Sequence, residues 1–406
     1  MVSPPAARPT RPAPATVLTL LAGRGGFRLT YQGIALVLLG VWGADRFAEY
    51  ASAVGATAWI ALLSSGPEKS VLKLLPRLRH TGAVVVRTAV LTSAVPLVLA
   101  LLASAVSAGS AFVVYPLAAA WSASIGLLTV LVAAHRAAGR PERDSGGFLL
   151  LAVAMAAAVG AGAAWGFSPA VQLAVLLTVT LCVAGWAARG VRSMTARPRR
   201  GSILAIVRAQ LLLGLYEPLG SAAVGVLYAT LALSGQRAGS TTLYVALLVS
   251  SVIGSGTLYL LRIYQPVSSL RLRGAGAHSG IGFARRLLRA ASGAGVLGCV
   301  LALVLAGSVS ATALVVVLLC FEIAVHALVS AALFLLENTG PRELRVAALG
   351  AATQFGAAAL LAALLVPAYG PPAALGALVA SYAVLAASTL PRLTRAAAAR
   401  GALGKR

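Results

Sequence analysis

The sequence predicts an all-α integral membrane protein of about twelve transmembrane helices, arranged as two pseudo-symmetric six-helix bundles. Hydrophobic residues make up 59% of the 406 residues and charged residues only 10%. Apolar runs long enough to cross a membrane recur along almost the whole chain, and the connections between them alternate between basic and nearly uncharged. With a mean hydropathy of +0.91, a chain of this length cannot present a water-soluble surface.

Twelve apolar runs approach the roughly 17 to 25 residues that a membrane-spanning helix needs. Six fall in each half of the chain, which predicts two bundles of equal size. The predicted spans of the first half are 17–42, 50–65, 84–106, 111–134, 148–165 and 171–188. Those of the second half are 203–233, 243–261, 290–305, 311–336, 344–366 and 372–390.

The basic residues, which give a net charge of +24, lie in alternate short connections between the spans. Segments 136–143 and 189–200 are examples, whereas the opposite connections contain little beyond Arg46 and Arg237. Basic connections stay in the cytoplasm, so both termini are predicted to be cytoplasmic in a multi-pass protein of the cell membrane. Because these charges are not gathered on one soluble face, we expect membrane lipids and no nucleic acid as partners.

A short pattern appears in both halves of the chain. In the first half it is GADR at 43–46, which predicts a short turn, followed by an apolar span and LLP at 74–76. In the second half it is SGQR at 234–237, an apolar span, and IYQP at 263–266. The repeat predicts two copies of one membrane unit, related by an axis along the membrane normal. The predicted domains are a disordered cytoplasmic tail 1–15, a first bundle 16–188, a basic cytoplasmic linker 189–202, a second bundle 203–391 and a basic cytoplasmic tail 392–406.

The order of an apolar span, GADRFAEY at 43–50, a second apolar span and LLP at 74–76 resembles the multidrug/oligosaccharidyl-lipid/polysaccharide flippase superfamily. It is most similar to the polysaccharide (O-antigen-type) flippase branch, and the resemblance covers nearly the whole chain. It implies a transporter that moves a lipid-linked oligosaccharide or polysaccharide precursor across the cytoplasmic membrane by alternating access. It also implies polysaccharide-assembly membrane proteins of the cell envelope as partners.

Several polar residues are predicted to bind the head group of such a substrate. Arg24 and Arg28 lie one turn apart on the first span and share a face, and Arg208 enters the seventh span. A guanidinium binds phosphate through a two-pronged contact, which favours a diphosphate ligand. Arginines of the first span line the cavity in related flippases, so the resemblance implies this role for Arg24 and Arg28, and Gln32 and Gln210 are predicted to join them. The alternatives are arginines that reach back to the membrane surface and glutamines that bond between helices.

Two acidic positions predict a site for a coupling cation, either Na⁺ or H⁺. Glu217 is in the middle of a span and precedes Pro218, which removes a backbone donor and leaves a carbonyl exposed nearby. Glu322 and His326 lie one turn apart on the tenth span and predict a pair or a proton relay. Acids at comparable places in the seventh span occur in cation-coupled members of the superfamily, so the resemblance supports coupling at Glu217. The alternatives are a salt bridge from Glu217 to Arg208 and buried pairs with a structural role only.

Catalytic, cofactor and metal sites are not predicted. The sequence lacks a P-loop, a G-x-S-x-G motif and a nucleotide-binding fingerprint in a suitable context. Glu322 and His326 alone are too few ligands for a metal ion. Two other classes of function stay open: a proton- or sodium-coupled exporter of small cationic molecules, and a membrane enzyme or non-transporting membrane protein of envelope assembly.

Overall fold

The computed structural model describes residues 13–75, 82–191, 200–234, 239–272 and 275–403. Within these ranges the chain is helical, with one short 3₁₀ helix at Ala111–Val113 and no β-strand. The helices are α1 (Pro14–Thr57), α2 (Trp59–Leu62), α3 (Ser65–Leu74), α4 (Gly82–Val106), α5 (Val114–Ala137), α6 (Pro141–Trp165), α7 (Pro169–Arg189), α8 (Arg200–Gly214), α9 (Tyr216–Leu233), α10 (Gly239–Arg271), α11 (Ala275–Leu305), α12 (Ala311–Thr339) and α13 (Pro341–Leu403).

The long helix α1 contains two spans, because the chain reverses at Gly43. Gly43 has φ 69° and ψ 177°, a conformation that glycine adopts at little cost. The reversal brings Glu68 back to Arg24, whose Nη2 donates to the Glu68 carboxylate over 2.9 Å. The turn predicted at 43–46 therefore begins at a single glycine, and the second span continues through α2 and α3.

The last long helix, α13, also reverses at a glycine. Gly370, with φ 62°, reverses α13, and the hydroxyls of Thr353 and Ser388 on the two arms lie 3.1 Å apart. Gly350 packs against Thr389 and so has no room for a side chain. The predicted outer connection between the last two spans is thus one glycine flanked by helices.

The described helices confirm the predicted fold class. Eight are long and apolar enough to cross a membrane, and the bent pair formed by α8 and α9 is a ninth. One of the eight, α13, is reversed at Gly370 and is long enough for two of the predicted spans. Several helices extend beyond the apolar runs, as α10 and α11 do on the basic side, because helix formation continues where the chain leaves the hydrocarbon region.

The helices form two compact units. The first unit comprises Met1–Gly214 with Arg262–Val267. Its core surrounds α5, where Trp121 and Leu128 are at most 1% exposed. The second unit comprises Leu215–Leu261 with Ser268–Arg406, and its core is formed by α9, α10, α11, α12 and α13.

The predicted domain limits partly fall outside the described ranges. Residues 1–12 of the predicted tail and 192–199 of the predicted linker are not described. The compact units divide at Gly214, inside the predicted seventh span, and α13 continues through the predicted C-terminal tail to Leu403. The proposed boundaries 16–188 and 203–391 stay predictions.

Within the first unit, α3 and α8 approach so closely that one position must be glycine. A Cβ on Gly66 would lie 2.1 Å from the backbone oxygen of Gln210 and 3.1 Å from the Cα of Gly214. Lys69 on α3 donates from Nζ to the backbone oxygen of Leu213 over 3.1 Å. The lysine therefore satisfies one of the carbonyls that the end of α8 leaves without a helical partner.

Candidate functional site

Five charged side chains of the first unit form a buried group that we name the arginine cluster. Its members come from α1, α3, α5, α6 and α10, respectively Arg24, Glu68, Arg136, Asp144 and Arg262. The side chains of Glu68 and Asp144 are 1% and 0% exposed, that of Arg136 is 5% exposed, and those of Arg24 and Arg262 are 12% and 13% exposed. Solvent therefore reaches two of the guanidiniums but almost nothing of the carboxylates.

Each carboxylate of the arginine cluster lies among guanidiniums. Glu68 accepts a hydrogen bond from Arg24 over 2.9 Å and another from Arg262, and Arg136 Nη2 lies 3.8 Å from Glu68 Oε1. Asp144 lies 3.2 Å from Arg136 Nη1 and 3.6 Å from Arg24 Nε. Each of the two carboxylates is thus approached by at least two guanidiniums.

The two partly accessible guanidiniums, those of Arg24 and Arg262, can meet an anion. Charges removed from water interact strongly with each other, so such an anion would be bound more tightly here than at an open surface. The guanidinium of Arg24 also lies over the Phe148 ring, 4.4 Å from its centroid, and that of Arg28 lies 5.8 Å from the centroid of Tyr31. Both rings hold a cation in place without neutralising it.

The other residues predicted for substrate binding take different positions in the first unit. Arg28 and Gln32 are half-buried on α1, and Arg208 is exposed on α8. Gln210 is 3% exposed; its Oε1 accepts from Thr92 over 2.9 Å and its Nε2 donates to Ser70 over 3.2 Å. Gln210 thus makes the bonds between helices that were its alternative role, and its contact with substrate stays a prediction.

Sequence reasoning missed four of the five members of the arginine cluster. Arg136, Asp144 and Glu68 adjoin predicted basic connections, and charges there are normally assigned to solvated loops. The sequence did contain a signal for the acidic members of the cluster, because the chain has only nine acidic residues against 33 basic ones. Because acids are so rare, the buried acids Glu68 and Asp144 next to basic connections were candidates for specific ion pairs.

The residues predicted to bind a cation lie in the second unit, where α10, α12 and α13 meet. Glu322 is 2% exposed and accepts from Ser250 Oγ on α10 over 2.5 Å. His326 Nδ1 lies 3.9 Å from Glu322 Oε1, and the imidazole stacks on the Tyr382 ring at 5.3 Å between centroids. Glu322 and His326 therefore lie side by side, and their role as a pair or a proton relay stays a prediction.

Glu217 lies in the same unit on α9 and is 8% exposed. The hydroxyl of the preceding residue, Tyr216, is 3.4 Å from Ser330 Oγ, one turn beyond His326 on α12. Beside His326 is a cavity of about 10 Å³, large enough for roughly one water-sized occupant. The cavity is lined by Ser250, Ile253, Gly254, Thr257, Ile323, His326, Ala327 and Ser330. No group of three or more metal-binding His, Cys, Asp or Glu residues occurs in the described ranges.

We predict that the variant Gly254→Ala displaces the His326 ring. A Cβ on Gly254 would lie 2.9 Å from His326 Cε1, so the ring must move away, at a cost of about 1 kcal/mol in stability. Apparent melting temperature in detergent measures this loss. The control is Gly256→Ala on the same helix, where nothing lies within 4 Å; equal melting temperatures for the two variants would contradict the prediction.

No protein-family model and no curated protein matches the chain. Solved structures do. A MOP-superfamily transporter from Pyrococcus furiosus, described as having a binding pocket of reversed polarity, matches with TM-score 0.61 at 13% identity over 95% of each chain. A MATE transporter in complex with the compound MaD3S matches with TM-score 0.63 at 13% identity over 94% of this chain and 95% of the other. An outward-facing multidrug resistance MATE transporter of the same superfamily matches with TM-score 0.61 at 14% identity over 95% of each chain.

These similarities extend over nearly the full length of both chains, so the protein has the fold of the MOP-superfamily transporters. It is a multi-pass membrane protein, in agreement with its apolar helices. The identities of 13–14% establish the fold and leave the substrate to be argued from the sites.

Proposed function

We propose that the protein is an alternating-access flippase that moves a lipid-linked oligosaccharide or polysaccharide precursor across the cell membrane, with both termini in the cytoplasm. The observation that carries this proposal is the arginine cluster, a buried group of charged side chains in which two guanidiniums are partly accessible. A diphosphate between a lipid and a saccharide is an anion that guanidiniums bind through paired, charge-assisted hydrogen bonds. The MOP-type fold supports a transporter and offers no support for an enzyme.

In this proposal the two units have different tasks. The first unit binds the head group through Arg24, with Arg28, Arg208, Gln32 and Gln210 as predicted further contacts. The second unit binds the coupling cation, Na⁺ or H⁺, through Glu217, Glu322 and His326. A cation biases the transport cycle only if it binds one conformation more tightly than the other.

The test is translocation of a fluorescent polyprenyl-diphosphate saccharide in proteoliposomes under an imposed Na⁺ or H⁺ gradient. We expect the double variant Arg24→Ala/Arg28→Ala to abolish transport, because two phosphate-binding cations are lost. We expect Glu217→Gln to retain some transport but to change its dependence on the ion gradient. Arg286→Ala, which removes an exposed arginine of α11, is the control and should transport like the parent.

The second candidate function is a cation-coupled exporter of small cationic molecules. The buried acids Glu217 and Glu322 favour it, and MATE structures that match the chain are described as complexes with added compounds. A folded parent that exports small cations and leaves the lipid-linked saccharide in place would establish this function instead. A parent that transports neither would favour a non-transporting role in envelope assembly.

A further inference from the structure

Gln265 is a buried residue whose side-chain amide has no hydrogen-bond partner in the part of the chain that the structure describes. It lies on α10, within the repeated pattern IYQP at 263–266, and is 0% exposed. Neither its Nε2 nor its Oε1 makes a hydrogen bond. Such an amide destabilises the fold, because it has lost its bonds to water and gained none in return. Its presence indicates either an ordered water molecule or a ligand as the partner.

The position of Gln265 favours a ligand. Gln265 follows Arg262 by three residues, so the two side chains are neighbours on the surface of α10. Arg262 belongs to the arginine cluster, donates to Glu68 and has a side chain that is 13% exposed. Both Arg262 and Gln265 belong to the first compact unit. An anion that contacts Arg262 therefore brings the group attached to it close to Gln265.

Two other buried glutamines of the first unit are bonded to the protein. Gln210 makes hydrogen bonds through both ends of its amide, to Thr92 and to Ser70. Gln172, which is 0% exposed, donates from Nε2 to the backbone oxygen of Ala158 over 3.3 Å. Of these three glutamines, only Gln265 lacks a partner at both ends. The missing partners are therefore particular to the neighbour of Arg262.

The chemistry of an amide determines which group of a ligand it can bind fully. The Nε2 of glutamine donates hydrogen bonds and its Oε1 accepts them. A phosphate oxygen without a proton only accepts, so a phosphate would leave Oε1 unsatisfied. A hydroxyl or an acetamido group both donates and accepts, and saccharides contain such groups. The group that matches Gln265 is thus the sugar next to a diphosphate and not the diphosphate itself.

We propose that Gln265 is a specificity-determining residue that hydrogen-bonds a hydroxyl or acetamido group on the first sugar of the ligand, while Arg262 contacts the adjacent diphosphate. The inference rests on the proposed function for the class of the ligand, and it adds which part of the ligand is recognised. The unpartnered amide destabilises the empty protein, and the bound sugar removes that cost. A lipid diphosphate without the sugar gains no such stabilisation and binds more weakly.

The experiment compares the parent with Gln265→Met, which replaces the amide by an unbranched apolar side chain of similar length. Binding of polyprenyl-diphosphate N-acetylglucosamine and of the sugar-free polyprenyl diphosphate is measured on the purified full chain in detergent. We expect Gln265→Met to bind the sugar-bearing lipid roughly tenfold more weakly, the effect of one or two lost hydrogen bonds. It should bind the sugar-free lipid within about twofold of the parent, since no contact to the diphosphate is lost.

Stability without ligand separates recognition of the sugar from a structural role. Gln265→Met should raise the apparent melting temperature by roughly 1–4 °C, because it removes a buried amide without partners. Gln210→Met, which removes an amide bonded at both ends, should lower the melting temperature by roughly the same amount. Gln172→Met is the control for binding and should match the parent for both lipids, since the Gln172 amide bonds to the backbone of α6.

The outcomes also separate this inference from the proposed function. If Gln265→Met is less stable than the parent, the amide has a structural partner such as a bound water, and the inference is overturned. If Gln265→Met weakens both lipids equally, or neither of them, the residue does not recognise the sugar and the flippase stands.

A soluble diphosphate sugar, uridine-diphosphate N-acetylglucosamine, distinguishes the two sources of the same chemistry. If the parent binds this compound but neither lipid, and Gln265→Met weakens that binding, the inference stands with a soluble ligand and the flippase is overturned. If the parent binds none of the three compounds, the inference is overturned together with the substrate class.

Discussion

The variant Gly66→Ala should lose about 3 kcal/mol of stability, near the upper end of the usual cost of overpacking. The added methyl would lie 2.1 Å from the backbone oxygen of Gln210, and a backbone atom cannot rotate away as a side chain would. The helices α3 and α8 must therefore separate, which also weakens the bond from Lys69 to Leu213. Apparent melting temperature and the monodisperse fraction in detergent measure the loss.

A glycine with open space around it is the control for this change. Gly33 lies on α1, where an added methyl group would meet nothing within 4 Å. Gly33→Ala should therefore raise stability by roughly 0.5–1 kcal/mol through the lower conformational entropy of the unfolded chain. The two variants add the same methyl group, but the expected changes in stability have opposite signs. A Gly66→Ala protein as stable as the parent would show that α3 and α8 do not pack at this distance.

The variant Asp144→Asn should cost about 3–5 kcal/mol, the usual effect of removing one partner from a buried ion pair. Asp144 is 0% exposed and faces Arg136 at 3.2 Å and Arg24 at 3.6 Å. Its neutralisation leaves the arginine cluster with three guanidiniums against one carboxylate. Thermal unfolding in detergent measures the effect, and high salt should not restore stability because ions screen a buried group poorly.

Glu142→Gln, two residues earlier on α6, serves as the matched control. Glu142 is exposed, so its neutralisation should change stability by no more than about 0.5 kcal/mol. The double variant Asp144→Asn/Arg136→Gln removes one charge of each sign and should be more stable than Asp144→Asn alone. Equal effects of Asp144→Asn and Glu142→Gln would mean that the arginine cluster does not form in the membrane.

The spans could be predicted from the sequence because membrane thickness sets the length of an apolar run. Hydropathy cannot locate the ends of the helices, which is why α11 begins at Ala275 and not near the predicted 290. It also could not show that the second span is broken between α1, α2 and α3, since this break depends on packing against other helices. The turn at Gly43 could be predicted from the sequence because glycine is the residue that adopts such a conformation at little cost.

The candidate sites were only partly predictable. Glu322 and His326 were found because they lie one turn apart on one helix, and local spacing is visible in a sequence. The arginine cluster joins five helices, so its members are far apart in the chain: Arg24 and Arg262 share Glu68 as a partner. Without the tertiary arrangement, Arg24 could be recognised as unusual but its partners could not.

The glycine reversals at Gly43 and Gly370 have a mechanical consequence. A joint of one residue contains no slack, so the two arms that it connects cannot slide far along each other or drift apart at that end. The first and last pairs of spans should therefore each move as a single lever, pivoting at the glycine. Any displacement of one arm is passed directly to the other, both at the glycine and at the far end, where Arg24 contacts Glu68 and Thr353 contacts Ser388.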